Sequence, residues 1–305
     1  MKNILLSIGV IIICNHANSQ GCSDAGVCTI GNFYANHTLM MPAKKNKNEI
    51  DLAFNYGAHL KDERFYQLQA NYRLIKSNGS FFELRLPFNI SKNTSSGISV
   101  NGIGDMVLTY NSKFSIAKTK HIFYSLGFRV SFSNADKSDG KSIHSYPMTL
   151  QTGLGTTDFI AAASYEICPY LSIGSGVQLP FLQYNKNNIP LYTLGSVVVN
   201  GNGYRRKPDA LLKLTGHYSI QKLKLNGGLV GIFHLADDYY NTVYGKYALI
   251  NSKGTTINWN IDASYPFAKK YMINLLYAAP LKTRSNIPDG LARSKIASVK
   301  ITYAF

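Results

Sequence analysis

Alternation of apolar and polar side chains at every second residue, repeated in segments about ten residues long, constrains this chain more than any other feature. INWNIDASYPF puts Ile257, Trp259, Ile261, Ala263, Tyr265 and Phe267 on one side, with Asn258, Asn260, Asp262 and Ser264 on the other. HIFYSLGFRVSFS sets Ile122, Tyr124, Leu126, Phe128, Val130 and Phe132 against Ser125, Gly127, Arg129 and Ser131. The closing SVKITYAF does the same, with Val299, Ile301, Tyr303 and Phe305 opposite Ser298, Lys300, Thr302 and Ala304. Successive strand side chains point to opposite faces, so each segment is a strand with one greasy and one polar side. About ten residues is also the length of a tilted membrane-crossing strand, and no segment has the roughly 18 consecutive apolar residues of a membrane helix.

Twelve such segments are expected, near 50–60, 64–76, 80–91, 104–116, 120–133, 157–168, 171–182, 209–220, 222–235, 256–267, 271–281 and 294–305. After the second strand, short turns such as SNGS, AKTK, PY, QK and AKK alternate with long Asn-, Ser-, Gly- and Lys-rich segments at 92–103, 134–156, 183–208, 236–255 and 282–293. Short links at one end and long loops at the other describe an up-and-down antiparallel meander. An even strand count returns both termini to the short-turn end.

Alternation does not by itself say which face points out, since a soluble barrel or a sandwich core would also alternate. Charge decides: only 16% of residues are charged, and the polar faces are mostly Ser, Asn, Gln, Thr and Gly, whereas a water-facing surface carries about 25 to 35% charged residues. Twelve strands around an apolar interior would also leave a dry void, because about eight already give an interior that side chains fill. Aromatics near strand ends (Phe132, Tyr165, Phe181, Tyr218, Tyr265, Phe267, Tyr271, Tyr303, Phe305) suit interfacial girdles. The expected fold is all-β: a transmembrane antiparallel up-and-down β-barrel of about twelve strands, with short periplasmic turns and longer extracellular loops in a bacterial outer membrane.

The first nineteen residues, MKNILLSIGVIIICNHANS, combine Lys2, an apolar run from Ile4 to Ile13 and small residues at Ala17 and Ser19, the three regions of a secretory signal peptide. Residues 20–49 form an N-terminal segment that either plugs the lumen or caps it on the periplasmic side, and 50–305 form the barrel. Within GCSDAGVC, Cys22 and Cys28 are expected to close a small disulfide loop, leaving Cys168 unpaired at a strand end. The net charge of +16 is matched to anionic lipid headgroups or anionic solutes rather than to nucleic acid, which an exported chain rarely meets.

The terminal Phe305 with Tyr303, Ile301 and Val299 at alternate positions resembles the C-terminal strand of bacterial outer-membrane β-barrel proteins, and the resemblance implies recognition by the barrel-assembly machinery. NGIGDMVLTY (101–110) and QTGLGTTDFIAAASY (151–165) are similar to the Gly-Asp rim segments of transporters in the phenol-degradation and FadL-related group, which handle small or hydrophobic compounds.

Inward positions in this register include Arg73, Arg85, Lys113, Arg129, Lys213, Lys224 and Lys300, beside Asp51, Glu83, Asp158, Glu166 and Asp262. Such charges either pair into a rigid brace or bias which ions pass, and the basic excess leans mildly towards anions. His59, His121, His217 and His234 face inward without the close spacing of a metal site, so no metal or other cofactor is expected. In KSIHSYP, His144 and Ser145 are adjacent and would point apart on a strand, which argues against a rim hydrolase and for a protein that is not an enzyme. The expected function is a monomeric channel or transporter passing small anionic or aromatic solutes. The alternative is a closed accessory barrel of a surface complex.

Overall fold

A computed structural model of the chain describes residues 48–58, 62–117, 120–194, 197–288 and 295–305. The expected signal peptide, nearly all of the 20–49 segment, the Cys22–Cys28 disulfide and His59 lie outside the described residues.

The strands are β1 (Glu49–Ala58), β2 (Glu63–Ile75), β3 (Phe81–Asn93), β4 (Ser99–Ile103), β5 (Met106–Ala117), β6 (Lys120–Val130), β7 (Thr156–Cys168), β8 (Leu171–Gln183), β9 (Asn188–Leu194), β10 (Val197–Arg205), β11 (Asp209–Ile220), β12 (Leu223–His234), β13 (Tyr239–Thr242), β14 (Gly245–Ala248), β15 (Gly254–Ala268), β16 (Tyr271–Lys282) and β17 (Lys295–Ala304). Twelve of them close an antiparallel barrel in the order β1-β2-β3-β5-β6-β7-β8-β11-β12-β15-β16-β17, sealed by pairing from Glu49 with Ala304 to Ala58 with Lys295. Closure leaves the spanning wall no unpaired edge, the condition for strands to cross hydrocarbon.

Alternation has the expected sense. Leu126 and Phe128 are 46% and 45% exposed on the outer face, and the next residue, Arg129, is fully buried inside. Along β3, Phe82, Leu84, Leu86 and Phe88 face out while Phe81, Glu83, Arg85 and Asn89 are buried. The short-turn end carries an outer aromatic ladder, Phe267–Tyr271–Tyr303–Phe305, with ring centroids 5.8, 5.0 and 5.8 Å apart. Lys270 Nζ lies 5.7 Å from the Tyr303 ring centre, so the terminal phenylalanine closes an interfacial girdle.

Three expected loops contain strands. Within 92–103, β4 continues the ladder of β3 beyond the point where β5 leaves it, pairing Phe88 with Ile103 and Lys92 with Ser99. The break between β4 and β5 is Gly104–Asp105. Segment 183–208 folds as the β9–β10 hairpin, and 236–255 supplies β13 and β14, giving a separate four-stranded sheet in the order β14-β13-β10-β9. The loops at this end share a core of their own: Ala135, Met148, Leu154, Tyr204 and Tyr240, with Ile189, Leu191 and Leu249 against it.

The inner wall is not uniformly polar. Val107, Ile160, Ala162, Leu211, Val230 and Ile232, all at inward positions on β5, β7, β11 and β12, form one buried apolar cluster. Gly127 on the intervening β6 makes room: a Cβ there would come within 2.2 Å of the Leu108 carbonyl oxygen and 2.6 Å of Thr109 Cγ2.

Candidate functional site

Three polar arrays occupy the inner wall. In the short-turn half, Arg73 of β2 is a hub for three carboxylates from neighbouring strands. Its Nη1 donates to Glu49 at 2.6 Å, Nη2 to Asp51 at 2.8 Å and Nε to Glu83 at 3.0 Å. Arg85 Nη2 donates to the other Glu83 oxygen at 2.6 Å, and Lys300 Nζ sits 3.8 Å from Asp51. Register dictates this meeting, because Glu49 pairs with Arg73 and Arg73 with Glu83 across consecutive ladders. Of the expected inward residues, Arg73, Arg85, Asp51, Glu83 and Lys300 are thus brought into one ion-paired cluster. Lys113 and Glu166 share the inward face but are solvent-exposed near the turns.

The second array lies where the barrel meets the long loops. Arg129 and Gln178 both donate to Asp158 Oδ2, and Arg129 Nε is 3.8 Å from Asp105. Arg206, in the loop after β10, lies 3.7 Å from Asp158 and bonds Asp209. Asp209 also faces His234 Nδ1 at 2.6 Å, while His234 Nε2 faces Asp238 at 2.8 Å. Ionised carboxylates can only accept, so a histidine between two of them carries both ring protons and a positive charge. Asp238 takes further bonds from the Tyr204 hydroxyl at 2.6 Å and the Lys207 amide at 2.7 Å. Beside it, burial first and the Asp238 charge second push the Tyr240 phenol above its ordinary range, so it stays a donor, to Asn187 at 2.7 Å.

This second array anchors a collar inside the mouth. Segment 151–155 runs along the inner wall, its backbone held by inward side chains: Asn89 donates to the Thr152 carbonyl at 2.7 Å, Asp105 accepts from the Leu154 amide at 3.3 Å, and Ser131 accepts from the Gly155 amide at 3.1 Å. Thr149 reaches back to Glu63 of β2 at 3.0 Å. Asn185 then ties the Leu154 carbonyl (2.7 Å) to the Tyr204 amide (3.1 Å). Ser252 accepts from the Asp238 amide at 2.8 Å, and its carbonyl accepts from Arg284 after β16 at 3.1 Å. The two Gly-Asp segments singled out in the sequence thus pack on each other. Gly155 is required there: its φ is +66°, and a Cβ would lie 2.7 Å from Asn185 Cα.

The third array spans β8, β11, β12 and β15. Ser172 Oγ is 2.9 Å from His217 Nε2, His217 Nδ1 is 2.8 Å from Asn226 Oδ1, and Asn226 Nδ2 donates to Asp262 at 2.8 Å. Lys213 places its charge near Asp262. A second serine–histidine pair, Ser115 with His121 at 3.0 Å, is exposed at the β5–β6 turn. His144 and Ser145 lie in the loop before Met148 and not on a strand, and the described residues show no hydrogen bond between them. Cys168 is a free, exposed thiol at the end of β7. Among the described residues no group of three His, Cys, Asp or Glu side chains could hold a metal ion.

Sequence reasoning missed Asp105, Arg206, Asp209 and Asp238, because these lie at strand ends or in loops where alternation carries no signal. It missed the inward apolar cluster because FIAAASY in β7 is apolar on both faces.

No family model matches the chain, and no curated protein matches it in sequence. Solved structures match in fold. The COG4313 outer membrane channel from Pseudomonas putida F1 superposes with a TM-score of 0.62 at 13% identity, covering 86% of this chain and 97% of that one. The translocator domain of the autotransporter NalP from Neisseria meningitidis gives 0.51 at 10% identity, covering 95% of this chain and all of that one. At these identities the likeness is one of architecture: this chain has the fold of an outer-membrane β-barrel.

Proposed function

We propose that this protein is a bacterial outer-membrane channel that passes small solutes through a narrow polar lumen, with its extracellular mouth controlled by the collar. The observation that carries the reading is the collar itself: backbone at 152–155 laid along the inner wall and bonded by Asn89, Asp105 and Ser131, narrowing a barrel whose outer face is apolar. The likeness to a protein described as an outer membrane channel agrees with this reading.

A mildly basic lumen also belongs to the proposal. The inward carboxylates Asp51, Glu83, Asp158 and Asp262 are buried to 3% exposure or less, whereas Lys113 is exposed and Lys224 and Lys300 are half-buried, against an exposed Glu166. The charges in contact with water in the short-turn half are thus mostly lysines, which favours small anions. Arg73, Arg85 and Arg129 act as braces, held in place by their carboxylates. Outside, Tyr303 and Phe305 present the girdle strand to the barrel-assembly machinery. The protein works as a monomer in lipid.

Reconstitution in planar bilayers tests the channel reading. Discrete conductance steps with a reversal potential displaced towards anion preference in a salt gradient are expected. Correctly folded protein that carries no current at any voltage would refute it.

A further inference from the structure

The Ser172–His217–Asn226–Asp262 array has a fixed hydrogen-bond direction. Asn226 gives its amide nitrogen to Asp262 and turns its oxygen to His217. In the neutral ring His217 then donates from Nδ1, and the lone pair on Nε2 faces the Ser172 hydroxyl at 2.9 Å. A serine whose proton points at a neutral imidazole nitrogen, with that ring's tautomer set by a third group and the third group by a carboxylate, is the arrangement that activates a serine for attack on a carbonyl. The exposed Ser115–His121 pair has no such third partner among the hydrogen bonds of the described residues.

From this geometry we propose that the short-turn half of the lumen holds an acyl-transfer site with Ser172 as nucleophile and His217 as base, acting on short carboxylic esters. The site goes beyond conduction and does not depend on it, since none of its residues belongs to the collar. Asn226 and Asp262 are positioning residues. Lys213 sits at the next inward position of β11 above Thr215, the register partner of Ser172, and directs its charge at the same Asp262 that Asn226 bonds. Ser172 lies on the inner wall at 8% exposure, away from the lipid-facing side, which favours a short ester over a diacyl lipid.

The chemistry balances without a further reactant. Ser172 Oγ adds to the ester carbonyl carbon while its proton passes to His217 Nε2. The bond from that carbon to the alcohol oxygen then breaks, and the leaving alkoxide takes the proton from Nε2, leaving acyl-Ser172. A water molecule gives its proton to Nε2 and its oxygen to the acyl carbon. The carboxylic acid departs as Oγ recovers the proton, so one ester and one water become one acid and one alcohol.

A small alkyl fluorophosphonate applied to the folded barrel in detergent tests the assignment. One adduct per chain is expected, mapped by mass spectrometry to Ser172, absent in Ser172→Ala and formed at least about 100-fold more slowly in His217→Ala, with a smaller loss in Asn226→Ala. Gel mobility before and after heating checks that each variant is folded. Asn226→Ala provides the test should His217→Ala not fold. No adduct on Ser172 in folded wild-type protein overturns the proposal, and so does labelling whose rate is the same in every folded histidine or asparagine variant. Bilayer conductance of the wild-type protein is read separately from labelling, so failure of the channel reading and failure of the acyl-transfer reading are distinguished.

Discussion

Asp238→Asn should loosen the collar. Asp238 accepts from His234 Nε2 at 2.8 Å, the Tyr204 hydroxyl at 2.6 Å and the Lys207 amide at 2.7 Å, joining the barrel wall, the β9–β10 hairpin and the β12–β15 loop at one carboxylate. An asparagine keeps one acceptor oxygen but turns an amide donor towards groups that are themselves donors, and it removes the charge opposite the imidazolium. Hydrogen bonds to charged groups contribute about 1.5 to 3 kcal/mol each. Losing one and weakening another should therefore cost the closed collar about 2 to 3 kcal/mol, or roughly a 30- to 150-fold rise in the open-to-closed ratio. A collar open for about one part in a thousand would become open for several per cent of the time. Single-channel recording reads this as open probability, and hydrogen exchange of 184–206 reads it as lost amide protection. Unchanged open probability together with unchanged exchange, in a variant whose heat-dependent gel mobility is normal, would refute the account of Asp238 as a latch.

Other substitutions test the rest of the framework. Arg73→Gln leaves Glu49, Asp51 and Glu83 buried without their shared guanidinium and should destabilise the barrel by about 3 to 5 kcal/mol, measured by urea unfolding in lipid through the single Trp259. Gly155→Ala forces a side chain into a φ of +66° and against Asn185, so it should lower protection of the collar while leaving barrel stability within about 1 kcal/mol. On the outer face, Phe128→Arg should destabilise the barrel by up to about 2 to 4 kcal/mol, the cost of an arginine at a bilayer midplane, in the same unfolding assay. Deleting Phe305 should slow assembly in cells far more than spontaneous folding into detergent micelles, compared by the heat-modifiable band. Equal slowing in both would assign Phe305 to stability rather than recognition.

The wall was legible in the sequence because one physical rule governs most of its residues, the inward Val107–Ile160–Leu211 cluster aside: hydrocarbon on one side and polar contents on the other, with a period of two. Leu126 and Phe128 out, Arg129 in, follows from position alone. Likewise Arg73 meets Glu83 because a closed antiparallel register makes them neighbours. The collar was not legible, since bonds such as Asn185 to Leu154 or Tyr204 to Asp238 join loops whose backbone obeys no period. Neither was the Ser172–His217 contact. Alternation places both on the inner face, but only the pairing of β8 with β11, with Ser172 opposite Thr215, brings the hydroxyl to the ring.

The two charged arrays use the same bond types and should nonetheless move differently. In the short-turn half, Arg73, Glu49, Asp51, Glu83, Arg85 and Lys300 all sit on strands paired consecutively around the wall, β17, β1, β2 and β3. Their bonds cannot separate unless ladder hydrogen bonds break as well, so opening there costs nearly as much as unfolding the barrel. At the mouth, Arg206, Asp238, Tyr204 and Leu154 belong to loops or to the small outer sheet. Their bonds to Asp209, His234, Asn185 and Asp105 can be exchanged for water with the barrel ladder intact. Ion pairs fixed between strands keep the short-turn half of the lumen rigid, and ion pairs between strand and loop leave the mouth as the part able to move.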